Sequence, residues 1–180
     1  MQTPIAHAHQ NGTVIEDNPV GLPNGVTGQV VPALDRHVAS LFVLFHQYQK
    51  HHWIVEGPQF RDLHLYLEEA YTEIHQDLDA MAERITVLGG LPTSSPRALA
   101  ERAYIEHEAE GEPDVRRMLE ADLAGEQAII KHLRDTIKLT MKLEDFGSER
   151  LLKKSLYHAE ERAHHLDHYL QRNTLVSEEC

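Results

Sequence analysis

The chain has 180 residues, enough for one domain with one sizeable core, and its 41% hydrophobic and 26% charged residues are ordinary soluble globular material. A formal net charge of -12 disfavours nucleic acid and acidic membranes as partners and favours cations, and 14 histidines add weight to transition metals. A single cysteine, Cys180, excludes an internal disulfide, and the longest apolar run, Leu41 to Phe45, is far too short to span a bilayer.

Residues 1–31 read as a flexible tail. Gly12, Pro19, Gly21, Pro23, Gly25 and Gly28 interrupt any hydrophobic period, and the first basic residue of the chain is Arg36. The opening MQTPIAHAHQ has neither a basic nor an apolar signal segment, so the expected compartment is the cytoplasm. The domain proper is expected over 32–174, with an acidic tail at 175–180. Its first helix is predicted from Leu34 to Val55, where Val38, Leu41, Phe42, Phe45, Tyr48 and His52 recur at three- and four-residue steps. Gly57-Pro58 breaks the chain, and a second helix is predicted from Pro58 to Leu88. Gly89-Gly90-Leu91-Pro92 stops it. A long connection follows, in which Ser94-Ser95-Pro96 opens a short helix through Ala103. The third long helix is predicted from Pro113 to Lys142, with Met118, Leu119, Leu123, Ile129, Ile130, Leu133, Ile137 and Met141 inward. The fourth runs from Ser148 to Arg172. The expected fold is an all-α four-helix bundle with a short extra helix between helices two and three.

The second helix carries the most informative pattern. Beside its apolar stripe lie His64, Glu68, His75, Asp79 and Glu83, mostly at i, i+4 steps, with no lysine among them. All are metal-ligand types that border the core; the competing reading is a solvated charged face. His64 and Asp79 are 15 residues apart, so they lie roughly 22 Å apart along one helix, too far for one ion. Two such helices antiparallel about a two-fold axis near Tyr71–Thr72 bring His64 and Glu68 of one chain towards Asp79 and Glu83 of the other. A two-fold dimer with two shared sites is therefore the expected smallest functional unit. His52, at the end of the first helix, can lie beside His64; its alternative role is a cation at a helix C-terminus.

His52-Trp53-x-Val55-x-Gly57-Pro58-x-Phe60-x-x-Leu63-His64, then Asp79-x-x-Ala82-Glu83-Arg84, then Leu88-Gly89-Gly90, closely resembles the Dps family of mini-ferritins. The motif spans residues 52–90, and the helix layout extends the resemblance over about 34–172. The resemblance implies a dodecameric hollow shell of ferritin-like bundles built from two-fold dimers. It implies oxidation of Fe(II), usually by hydrogen peroxide, and storage of ferric mineral inside. Carried over residue by residue, the metal ligands are His52, His64 and Glu68 of one subunit with Asp79 and Glu83 of its mate. Aspartate is more usual at position 68, and glutamate lengthens that arm. Trp53 stands beside the site, as an oxidisable neighbour or as packing. Two Fe(II) ions at one site can deliver two electrons to one peroxide, avoiding hydroxyl radical, with ferric oxide and water as products.

Other histidines stand outside this set. His75 lies one turn before Asp79. Glu161-x-x-His164 has the spacing of a di-iron ligand pair, and His165 and His168 follow. The competing reading of each is a polar, half-exposed helix residue; of them His164 is the pick for an additional ligand, and the histidine excess keeps zinc open beside iron. By the resemblance, acids near the start of the fourth helix line pores; Asp145 and Glu149 are the candidates, and a helix cap is the competing role. Three other readings compete: a di-iron site inside one bundle, a metal-bound scaffold without turnover, and a DNA-protecting protein. The last needs Lys and Arg on phosphates, which the N-terminal segment lacks, so little DNA binding is expected.

Overall fold

A computed structural model describes residues 10–111 and 113–171. In chain order the elements are β1 (Thr13–Val14), α1 (Asn24–Ile54), α2 (Phe60–Val87), β2 (Gly90–Leu91), α3 (Pro96–Arg102), α4 (Val115–Lys142) and α5 (Phe146–Leu170). The four long helices form two hairpins, α1 with α2 and α4 with α5. The hairpins meet through α1 against α4 and α2 against α5. The long α2-to-α4 connection carries β2 and α3, and α3 packs on α1.

The long helices pack apolar faces together, α1 being buried nearly all round from His37 to Leu41. Leu34, Val38, Leu41, Leu44 and Tyr48 of α1 meet Leu63, Leu67, Ile74, Met81 and Ile85 of α2 in one core, closed by Ile129 and Leu133 of α4 and Leu152, Ala159 and Leu166 of α5. Polar caps mark the later starts: Asp114 accepts from the Arg117 amide, and Asp145 from the Ser148 amide. Pro96 opens α3, where its missing N–H costs nothing. Met141, expected inward, is 51% exposed, one residue from the end of α4.

The segment read as a tail is partly built into the fold. α1 begins at Asn24, not Leu34, and Pro32 lies inside it. Thr27, Val30, Val31 and Leu34 bury at helical spacing, and the Val26 and Thr27 amides donate to the Pro23 carbonyl. Asn18 brackets the approach, its side chain bonding both the amide and the carbonyl of Leu22. Upstream, β1 pairs antiparallel with β2, Thr13 opposite Leu91 and Val14 opposite Gly90. Buried Asp35 bonds the amide and hydroxyl of Thr93 and pairs with Arg102, tying α1 to the connection. Residues 1–9 of the expected tail and the acidic tail at 175–180 lie outside the described residues.

Candidate metal centre

The turn between α1 and α2 sets the site. The Val55 amide closes on the His51 carbonyl, Gly57 takes φ 93°, and the Phe60 amide returns to the Gly57 carbonyl. A positive φ suits glycine, which has no Cβ to clash. The reversal lays the last turn of α1 against the first turns of α2, and His52 lands on His64.

Their rings stack, with centroids 3.8 Å apart and planes 21° apart. Each ring also bonds the other residue's backbone: His52 Nδ1 to the His64 carbonyl and His64 Nδ1 to the His52 carbonyl, both at 2.9 Å. A carbonyl only accepts, so both Nδ1 atoms carry hydrogen and donate. In the neutral rings both Nε2 atoms then hold free lone pairs. A ligating histidine whose other nitrogen donates to a carbonyl is oriented in this same way. Tyr71 packs edge-on against His52 at 5.3 Å, and Phe60 leans on His64 at 5.0 Å. The two imidazoles are half-buried and locked, and Trp53, next to His52 in sequence, is 67% exposed.

Of the predicted ligands, one chain brings together only this pair. Glu68, Asp79 and Glu83 lie exposed along α2 beyond it, and exposed His75 leans on Phe45 at 5.4 Å. Among the described residues no three His, Cys, Asp or Glu side chains converge tightly enough within the chain to hold an ion. The donor set fits iron: two imidazoles whose Nδ1 atoms are held by backbone carbonyls, which leaves the Nε2 side open, and exposed carboxylates along the same helix edge.

His164 sits elsewhere. It lines a groove between α5 and α2 with Asp62, Tyr66 and Glu69, about 100° round α2 from the His64 edge. Its partner in the Glu161-x-x-His164 pair is also exposed. The pore candidates have local partners as well. Buried Asp145 takes the Ser148 amide and hydroxyl and the Arg84 guanidinium, and Glu149 pairs with Lys153. Asp145 is thus a helix cap and an ion-pair partner rather than a free acid.

A polar layer crosses the bundle's centre, and most of it is not foreseen from the sequence. His51 bonds Asp122 through Nδ1 and Glu108 through Nε2, both at 2.8 Å, and Lys50 joins Glu108. Burial alone would lower the His51 pKa, but bonds and charges from Asp122 and Glu108 outweigh it and hold the ring above the ordinary histidine value. Arg162 grips both oxygens of Glu126, which also accepts from Tyr48, and reaches Glu73 with its remaining nitrogen. His158 bonds Asp77. Arg162 neutralises the central acid, so this layer is an internal ion-pair network, which opposes the reading of a di-iron site inside one bundle. Its signal in sequence was Asp122 and Glu126 at i, i+4 on the core side of α4, between Leu119 and Ile129.

Comparison with known proteins gives the chain's family. The ferritin-like domain family matches residues 31–176. The chain is 41% identical over 150 residues to the DNA protection during starvation protein of Halobacterium salinarum, covering 83% of this chain and 82% of that one. It is also 41% identical over 167 residues to a nutrient stress-induced DNA-binding protein of Nostoc sp., covering 93% and 91%. In three dimensions it matches the crystal structure of an archaeal Dps homologue from Halobacterium salinarum with TM-score 0.93 at 37% identity, over 98% of both chains. It matches DpsC from Streptomyces coelicolor with TM-score 0.91 at 28% identity, over 95% of this chain and 99% of that one.

Proposed function

Because the chain belongs to the Dps family of ferritin-like proteins, we propose that it oxidises Fe(II) with hydrogen peroxide, more slowly with dioxygen, and stores the ferric product in a hollow shell of its own subunits. The observation that carries this reading is the reciprocal His52–His64 clamp, which presents two Nε2 lone pairs beside a carboxylate-lined helix face. In the proposed site His52, His64 and Glu68 of one subunit face Asp79 and Glu83 of a second copy, so each dimer holds two sites. Iron is the substrate, bound by imidazole and carboxylate; the carboxylates favour the ferric product. Two Fe(II) each give one electron to one peroxide, its O–O bond breaks, and the oxygens leave as water or ferric oxide. The chain's own part is positioning: its ring orientations are set before the metal arrives, so little reorganisation is needed on binding. The shell is read as a dodecamer built from such dimers, in the cytoplasm. No helix among the described residues is long and apolar enough to cross a membrane.

Metal-free protein given Fe(II) anaerobically and then peroxide is expected to develop ferric absorbance rapidly, with at least a tenfold lower rate in His64→Ala/Asp79→Ala. Equal traces would remove the proposed site from iron oxidation and leave the metal-bound scaffold, with zinc as its candidate ion.

A further inference from the structure

The outer face of α5 carries a second cluster that the proposed oxidation does not use. His164 and His168 stand one turn apart, at i, i+4, with ring centroids 4.2 Å apart and planes inclined by 63°. That spacing lets two imidazoles of one helix hold a single ion. The rings of His37, His51, His52, His64 and His158 are all bonded within the chain. Those of His164 and His168 are exposed and have no hydrogen-bond partner among the described residues. Both line the open groove of about 690 Å³ between α5 and α2, which also exposes the carboxylates of Asp62 and Glu69.

We propose that His164 and His168 form a binding site for one divalent transition-metal ion of the imidazole-preferring class. Two imidazoles supply the protein ligands, water completes the coordination, and Asp62 and Glu69 add a negative field that draws cations into the groove. No third side chain among the described residues converges on the pair, so the site is open and exchangeable rather than a closed structural one. Nitrogen donors select late first-row ions, copper(II) most strongly, over magnesium and calcium, which prefer oxygen. The site stands apart from the His52–His64 edge and does not depend on whether that edge oxidises iron.

The test titrates copper(II) into full-length protein carrying His52→Ala/His64→Ala, which removes the competing imidazole pair. Calorimetry reads stoichiometry and affinity, and electron paramagnetic resonance reads the number of nitrogen ligands. Adding His164→Ala or His168→Ala is expected to abolish one copper per chain or weaken it at least tenfold. Adding His165→Ala, which lines the same groove but packs edge-on against Tyr66 with its ring 6.1 Å from that of His164, is expected to leave that copper in place. A hundredfold excess of magnesium is expected not to displace it. All three positions are exposed, so thermal melts should coincide; if one alanine variant melts early, His168→Asn replaces it. Unchanged copper binding in both the His164 and His168 variants, or an equal loss in His165→Ala, would overturn the proposal.

Discussion

Single side chains in this protein are fixed by what their second polar atom does. His52 and His64 each give Nδ1–H to the other's carbonyl, which leaves Nε2 as the atom able to meet iron. His37 shows the opposite use. Thr136 donates its hydroxyl to the His132 carbonyl, so it accepts from His37 Nε2, and His37 Nδ1 in turn accepts from Tyr104. Both nitrogens are satisfied in the neutral ring. Burial first, then the positive neighbours His132 and Arg36, push the His37 pKa down to about 3. Its ordinary value is about 6.5, so the unfolded chain binds the proton first as pH falls. The neutral ring's contribution is full above about pH 6.5 and is lost progressively towards pH 3. We predict that His37→Gln loses about 1 kcal/mol near neutrality, through poorer hydrogen bonds, but flattens the acid limb of stability against pH. Urea melts between pH 7 and 4 measure this; an unchanged slope would contradict it.

Elements are held at their ends as much as along their faces. α2 stops at a glycine with φ 75°, and a Cβ on Gly89 would collide with the Glu16 carbonyl oxygen. That carbonyl is backbone, and the Ile15 and Glu16 amides both donate to the Gly89 carbonyl, so neither strand can step back cheaply. Gly89→Ala is predicted to cost about 1–3 kcal/mol and to loosen the β1–β2 pairing, read as faster amide exchange at Ile15 and Glu16. Wild-type exchange there would refute it. The end of α2 was legible in sequence because Gly89-Gly90-Leu91-Pro92 has one local reading. The start of α1 was not. Gly25, Gly28 and Pro32 carry weak local helix preference, and burial of Thr27, Val30 and Val31 against the rest of the domain overrides it. The polar edge of α2 proposed to hold the metal could be picked out in sequence because its residues share one helix face. The Asp122–Glu126–Arg162 layer needs two helices at once, and isolated polar residues on a core stripe do not announce their partner.

At the scale of the whole molecule, charge and symmetry bear on the proposed function. The relatives' names speak of DNA, yet this chain carries a net charge of -12 and no Lys or Arg before Arg36. Few cations are available to displace counterions from a duplex, so we predict no retention of duplex DNA in a gel shift near about 150 mM salt. Strong retention there would show a basic surface made only on assembly. Symmetry matters more for the chemistry. One chain presents His52 and His64 at one end of the α2 face and Asp79 and Glu83 at the other, roughly 22 Å apart by helix rise. In the proposed dimer the same residues would make two complete sites once two copies lie antiparallel, and none when a chain stands alone.

Mixing subunits tests that claim most directly. His64→Ala and Asp79→Ala proteins, each expected to be slow alone, are unfolded together, refolded and assayed for peroxide-driven ferric absorbance. If the site is shared, each mixed dimer regains one intact site. Random pairing then restores roughly a quarter of wild-type sites. If the mixture stays as slow as its parents while assembling normally, no site is shared between copies, and the dimer is not the unit that oxidises iron.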